Sequence, residues 1–109
     1  MAWVYMLRCA DDSYYVGSTR NLDARLWQHN HSEHGAAYTR RRRPVELVWS
    51  WPCESVAQAY WLEKRIQGWG RAKREALIRR DYDALPALAK KNFRRSGPTA
   101  DQKRGSDTR

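Results

Sequence analysis

The chain has 109 residues, with 21 Lys and Arg against 12 Asp and Glu, and a formal net charge of +9. That length suits one domain around a single core. A positive excess of this size points to a polyanionic partner. Nothing resembles a signal peptide, and no apolar run approaches the ~18 residues of a membrane span. Cys9 and Cys53 stand alone, without a close-spaced motif. They read as reduced, packed thiols in a cytoplasmic protein.

The charge is uneven. Residues 90–109 hold seven Lys and Arg against two Asp, a local +5, and residues 1–89 hold the other +4. An acidic membrane would call for a long amphipathic helix with a bulky apolar face and a basic rim. No stretch has that pattern, so nucleic acid is the expected partner.

In chain order, residues 3–9 and 13–18 have the aromatic and β-branched content of strands. Ala10, Asp11, Asp12 and Ser13 form a turn cluster short enough to close a hairpin. Alternation puts Trp3, Tyr5 and Leu7 on one face and Val4 and Met6 on the other. Asn21 is a preferred helix cap, with Asp23 in the first turn. Leu22, Arg25, Leu26 and His29 then fall within a ~100° arc, which turns an arginine and a histidine toward the sheet or leaves them at its margin. His29, His31 and His34 do not have the spacing of a zinc site.

Residues 35–44 read as a loop. Arg40, Arg41, Arg42 and Arg43 are either a solvated run or a phosphate clamp, with Tyr38 beside them to stack or position. Residues 45–51 form a third strand, with Pro44 and Pro52 as its punctuation. Ser55 and Gln58 make a capping-box pattern that opens a second long helix. On that helix Glu63 falls at about 340°, amid Val56 at 0°, Tyr60 at about 40° and Ala59 at about 300°. A carboxylate centred on an apolar stripe needs a partner. The choices are an ion pair with an arginine such as Arg25, or a hard metal ion.

Gly68 and Gly70 end that helix. A third helix over residues 72–80 carries Lys73, with further helical turns over 82–90. Beyond Asn92 the composition becomes that of a disordered basic tail, residues 93–109. The order β-β-α-β-α-α gives a small α/β domain with a three-stranded, largely antiparallel sheet flanked by helices.

Val4-Tyr5, then Tyr15-Val16-Gly17-Ser18, then Arg25, His29 and the helical Glu63 together resemble the GIY-YIG nuclease domain, in its small single-domain bacterial form. The resemblance runs from Trp3 to about Asp81, so a nuclease-like domain over residues 1–92 is expected. Trp3 stands where the name-giving glycine would be. The asparagine that many members carry beyond the metal-binding glutamate has no counterpart before Asn92.

The resemblance implies a divalent-metal-dependent endonuclease that hydrolyses phosphodiester bonds, with DNA ahead of RNA as substrate. The competing class is a nucleic-acid-binding module without catalysis. In the catalytic reading Glu63 holds one Mg²⁺ or Mn²⁺. Arg25 binds the non-bridging oxygens, and Tyr5 or Tyr15 accepts the proton of the attacking water, with Tyr5 preferred and Tyr15 as its positioning partner. A phenol is a weak base at neutral pH unless nearby cations lower its pKa; Arg25 and His29 are the candidates to do so, or His29 instead relays a proton or positions a tyrosine. Tyr38, Arg40–Arg43 and Lys73 make up the expected nucleic-acid contact.

Overall fold

The computed structural model describes residues 1–85. The expected basic tail, its boundary at residue 92 and the end of the helical turns expected over 82–90 lie outside the described residues. Ala2–Arg8 forms β1 and Tyr14–Thr19 forms β2, an antiparallel hairpin with Tyr5 opposite Gly17 and Leu7 opposite Tyr15. Its turn places Asp12 at φ 71°, a left-handed conformation that aspartate tolerates, and Asp11 Oδ1 accepts from the Ser13 amide at 3.1 Å. Glu46–Cys53 forms β3, antiparallel to β1 on its other side, so the sheet order is β2-β1-β3. The β1–β3 register shifts between Met6 and Leu7, the signature of a bulge.

The helices cover both faces of the sheet. Leu22–His31 forms α1, capped by Asn21, whose Oδ1 accepts from the Ala24 amide at 3.1 Å. Ala37–Arg40 forms α2, Val56–Gln67 forms α3 and Arg71–Ile78 forms α4, with a 3₁₀ turn at Tyr82–Ala84. Ser55 caps α3 by accepting from the Gln58 amide at 3.1 Å. Gln58 reaches back to the Glu54 amide rather than to that of Ser55. The alternation of β1 builds two cores. Val4 and Met6 pack with Leu62 and Ile66 of α3 and Leu77 of α4. Tyr5, Leu7 and Cys9 pack on the opposite face with Val45, Tyr15, Leu22 and Leu26. Among the described residues, no helix is long and apolar enough to cross a membrane.

Three elements differ from the sequence expectation. The third strand runs to Cys53, so Pro52 lies within it, opposite Trp3. β3 has a partner on one side only, and an edge strand tolerates a residue without an N–H. The loop over 35–44 contains α2, where the amides of Thr39 and Arg40 both bond the Ala36 carbonyl at 3.1 Å. A single helical turn leaves no periodicity to read. The buried stripe of α3 is Ala59, Leu62 and Ile66, while Val56 and Tyr60 are exposed. Glu63 therefore sits beside the stripe, about 65° from its centre, rather than in its middle.

Gly17 makes room for Tyr5. A Cβ there would stand 2.5 Å from Tyr5 Oη and 2.7 Å from its Cζ. Tyr5 is 1% exposed, so its ring has nowhere to retreat. Gly17→Ala is expected to destabilise the fold by about 1–3 kcal/mol, the scale of overpacking a filled core. The urea midpoint measures this, and an unshifted midpoint would show that the ring is not fixed there.

Candidate active site

β1 sends Tyr5 to the face covered by α1, and α1 brings His29 over it. Tyr5 Oη lies 2.7 Å from His29 Nε2, and His29 Nδ1 lies 2.8 Å from Thr39 Oγ1 of α2. The Thr39 hydroxyl donates to the Ala36 carbonyl at 3.1 Å. A hydroxyl has one proton, so with it committed to Ala36, Thr39 accepts from His29. Nδ1 therefore carries the imidazole proton, and Nε2 accepts from Tyr5. Burial, helped by the charges of Arg25 and Arg43, pushes His29 down to about 4, so the ring is neutral at physiological pH.

This corrects one expectation. His29 supplies no positive charge to lower the tyrosines. Burial, followed by the proximity of Tyr15, pushes Tyr5 up, and the Arg25 guanidinium only opposes that rise. Burial also raises Tyr15, again with Arg25 opposing. Tyr15 sits edge-on to His29 at 5.0 Å between ring centres, 6.4 Å from Tyr5. Tyr38 stacks on Tyr15 at 6.1 Å, and Arg42 lies over the Tyr38 ring at 3.8 Å. Tyr38 thus positions Tyr15, and its stacking capacity is already engaged.

Glu63 approaches from the α3 side, at the edge strand β2. Its Oε1 accepts from Ser18 Oγ at 2.6 Å and its Oε2 from Gln67 Nε2 at 2.8 Å. Gln67 also bonds the Val16 carbonyl at 3.1 Å, which ties the carboxylate to β2. The charge of Glu63 is felt at both Tyr5 and Tyr15, raising each. Arg25 bonds Gln28 Oε1 at 2.9 Å and the His34 carbonyl at 3.4 Å. Among the described residues it makes no ion pair with Glu63, whose nearest cation is Lys64 at 3.8 Å.

The arginine run is divided among structural tasks. Arg43 donates to the carbonyls of His29, Gln28 and Ser32 at the C-terminal end of α1. Arg42 pairs with Asp11 at 3.0 Å and bonds the Tyr38 carbonyl. Arg40 bonds the Glu33 carbonyl at 2.9 Å. Arg41 is exposed, as is Lys73, whose Nζ lies 6.0 Å from the Trp69 ring centre. Arg42 and Arg43 thus hold the loop to the hairpin and to α1, while Arg41 faces solvent.

Sequence reasoning missed Thr39, Gln67 and the role of Ser18. Gln67 was open to detection, four residues after Glu63 on one helix. Thr39 gave no signal, because its partner lies ten residues back on another helix.

The Glu63 carboxylate is 13% exposed, and each oxygen accepts one bond from this chain, leaving lone pairs for a hard cation. Mg²⁺ commonly takes one or two carboxylates with waters and substrate phosphate. A single carboxylate fits that habit. Among the described residues no group of three His, Cys, Asp or Glu gathers for a metal, and both nitrogens of His29 are already bonded.

A tyrosine hairpin thus faces an arginine and a histidine, with one carboxylate at its edge. The model of the GIY-YIG catalytic domain matches residues 1–76. The chain belongs to that family, whose domain is that of a nuclease. A UPF0213 protein of Natronomonas pharaonis is 43% identical over 76 residues, covering 70% of this chain and 88% of the relative. Another, of Syntrophus aciditrophicus, is 38% identical over 83 residues, covering 76% and 95%. The solution NMR structure of a UPF0213 protein from Bacillus halodurans is similar over 90% of this chain and all of that one, at 32% identity and a TM-score of 0.47.

The buried neutral His29 links stability to pH. Its pKa is about 4 folded, against an ordinary 6.5. As pH falls below 6.5 the unfolded chain takes up a proton that the native state refuses, so stability is lost between pH 6.5 and 4. The loss is on the order of 3 kcal/mol for this group. Urea denaturation across that window should show the fall, and His29→Gln should flatten it. An equally steep fall in the variant would place the effect elsewhere.

Proposed function

We propose that this protein is a divalent-metal-dependent endonuclease acting on nucleic acid, with DNA ahead of RNA as substrate. The observation that carries the reading is the bonded row Tyr5–His29–Thr39, whose tyrosine lies within the electrostatic reach of the Glu63 carboxylate.

Hydrolysis of a phosphodiester needs an activated water and neutralisation of charge on the phosphorane-like transition state. Tyr5 donates its own proton to His29, so its remaining lone pairs can receive one from water. As the phenol oxygen takes the water's proton, its original proton passes to His29 Nε2. The imidazolium that forms has both N–H groups satisfied, one by Tyr5 Oη and one by Thr39 Oγ1. Burial holds His29 down to about 4, so this imidazolium forms only together with the negative charge that develops on the phosphate, which offsets it. Arg25 lies near both phenols, and its planar fork suits two non-bridging oxygens. Tyr15, wedged by Tyr38, limits the movement of the Tyr5 and His29 rings. Glu63, oriented by Ser18 and Gln67, would hold Mg²⁺ or Mn²⁺, which when bound would act as a Lewis acid toward a phosphate oxygen and offset its charge.

Nicking of supercoiled plasmid in Mg²⁺ tests the reading. The parent protein should nick, and Glu63→Ala, purified identically, should lose at least about 100-fold in rate. Its binding to the same DNA in Ca²⁺ should change little. A variant that nicks at the parental rate would remove Glu63 from the site. A parent that binds without nicking would make the protein a binding module.

A further inference from the structure

The solvent-facing side of α3 carries large aromatic surface that the proposed chemistry does not use. Tyr60 is 55% exposed and Trp61 42%. Each has a cation one helical turn on. Lys64 Nζ lies 4.9 Å from the Tyr60 ring centre, and Arg65 Cζ lies 4.7 Å from that of Trp61. Two exposed aromatic–cation pairs side by side are more than a solvated helix needs, since short polar side chains would serve there. Tyr60 also stands three residues before Glu63, and neighbours at that spacing lie about 5–6 Å apart at Cβ. Lys64 bridges the two, 3.8 Å from Glu63 Oε2.

We propose that the Tyr60–Trp61–Lys64–Arg65 face of α3 binds unpaired nucleic acid, with bases stacked on the two rings and phosphates held by the two cations. This deepens the nuclease reading and rests on it. The choice of occupant follows from chemistry. Phosphate complements Lys64 and Arg65, in a chain with a net charge of +9. A duplex keeps its bases stacked on one another and offers phosphates, whereas an unpaired strand offers π-faces to exposed rings. Tyr38, the other aromatic near the site, is already stacked on Tyr15 and covered by Arg42. A strand lying along α3 with a phosphate at Glu63 would bring an adjoining base to Tyr60.

The test is fluorescence anisotropy in EDTA, where binding is read without turnover. The probes are labelled oligodeoxythymidine and oligouridine of roughly 15 nucleotides, and a mixed-sequence DNA duplex of the same length. For the Tyr60→Ala/Trp61→Ala double variant, Kd for one or both single strands should rise about 10-fold or more, while the duplex Kd moves less than about twofold. The oligonucleotide that responds shows which backbone the face accepts. Tyr60→Phe/Trp61→Phe keeps the π-faces and should keep the parental Kd. Single-strand affinity unchanged in both arms, or an equal loss for single strand and duplex, would overturn the proposal. So would a parental dimer, seen by sedimentation, that the double variant loses while keeping its oligonucleotide affinity. A protein that never nicks plasmid would defeat the nuclease reading, yet this binding result would stand apart from it.

Discussion

The rest of the site depends on one buried imidazole kept neutral between two hydroxyls. His29 is fully buried, and a polar ring there must find partners for both nitrogens or cost several kcal/mol. It finds them in Tyr5 and Thr39, which come from different elements, so the bonds tie β1, α1 and α2 together. Arg43 closes the C-terminal end of α1 just beyond His29, and Arg42 ties the following segment to the hairpin turn. The basic run after α2 is thus in large part the strap that holds Thr39 against His29. Loss of that strap would loosen the bonded row Tyr5–His29–Thr39 as well as the loop.

The sheet divides the site in two. Tyr5, Tyr15 and His29 lie on the α1 face, while Glu63 reaches the edge of β2 from the α3 side through Ser18 and Gln67. The absent side chain of Gly17 lets the Tyr5 ring lie close against β2.

Much of this was legible in the sequence. The alternation of β1, the caps at Asn21 and Ser55 and the β-β-α-β-α-α order are local properties, and the three-stranded antiparallel sheet follows from them. The family was legible because its residues recur in a fixed order from Tyr5 to Glu63. What escaped detection depends on distant partners. α2 is one turn long and has no period of its own, so Thr39 looked like loop. The offset of Glu63 from the α3 stripe was hidden because Val56 and Tyr60 look like core residues, although they face solvent. Four adjacent arginines read as one run, yet Arg40, Arg42 and Arg43 bond separate acceptors while Arg41 faces solvent. The charge state of His29 depends on its burial, which no spacing rule supplies.

The central claim is that His29 is neutral with its proton on Nδ1, so that Tyr5 donates into the ring and can take a proton from water. ¹⁵N NMR of the histidine side chains in the full chain near pH 7 reads this directly. One ring, absent from spectra of His29→Gln, should show a protonated Nδ1 and a bare Nε2, and should stay so down to about pH 5. A proton found on Nε2, or an imidazolium already formed at pH 7, would reverse the direction of the Tyr5 bond and contradict the account.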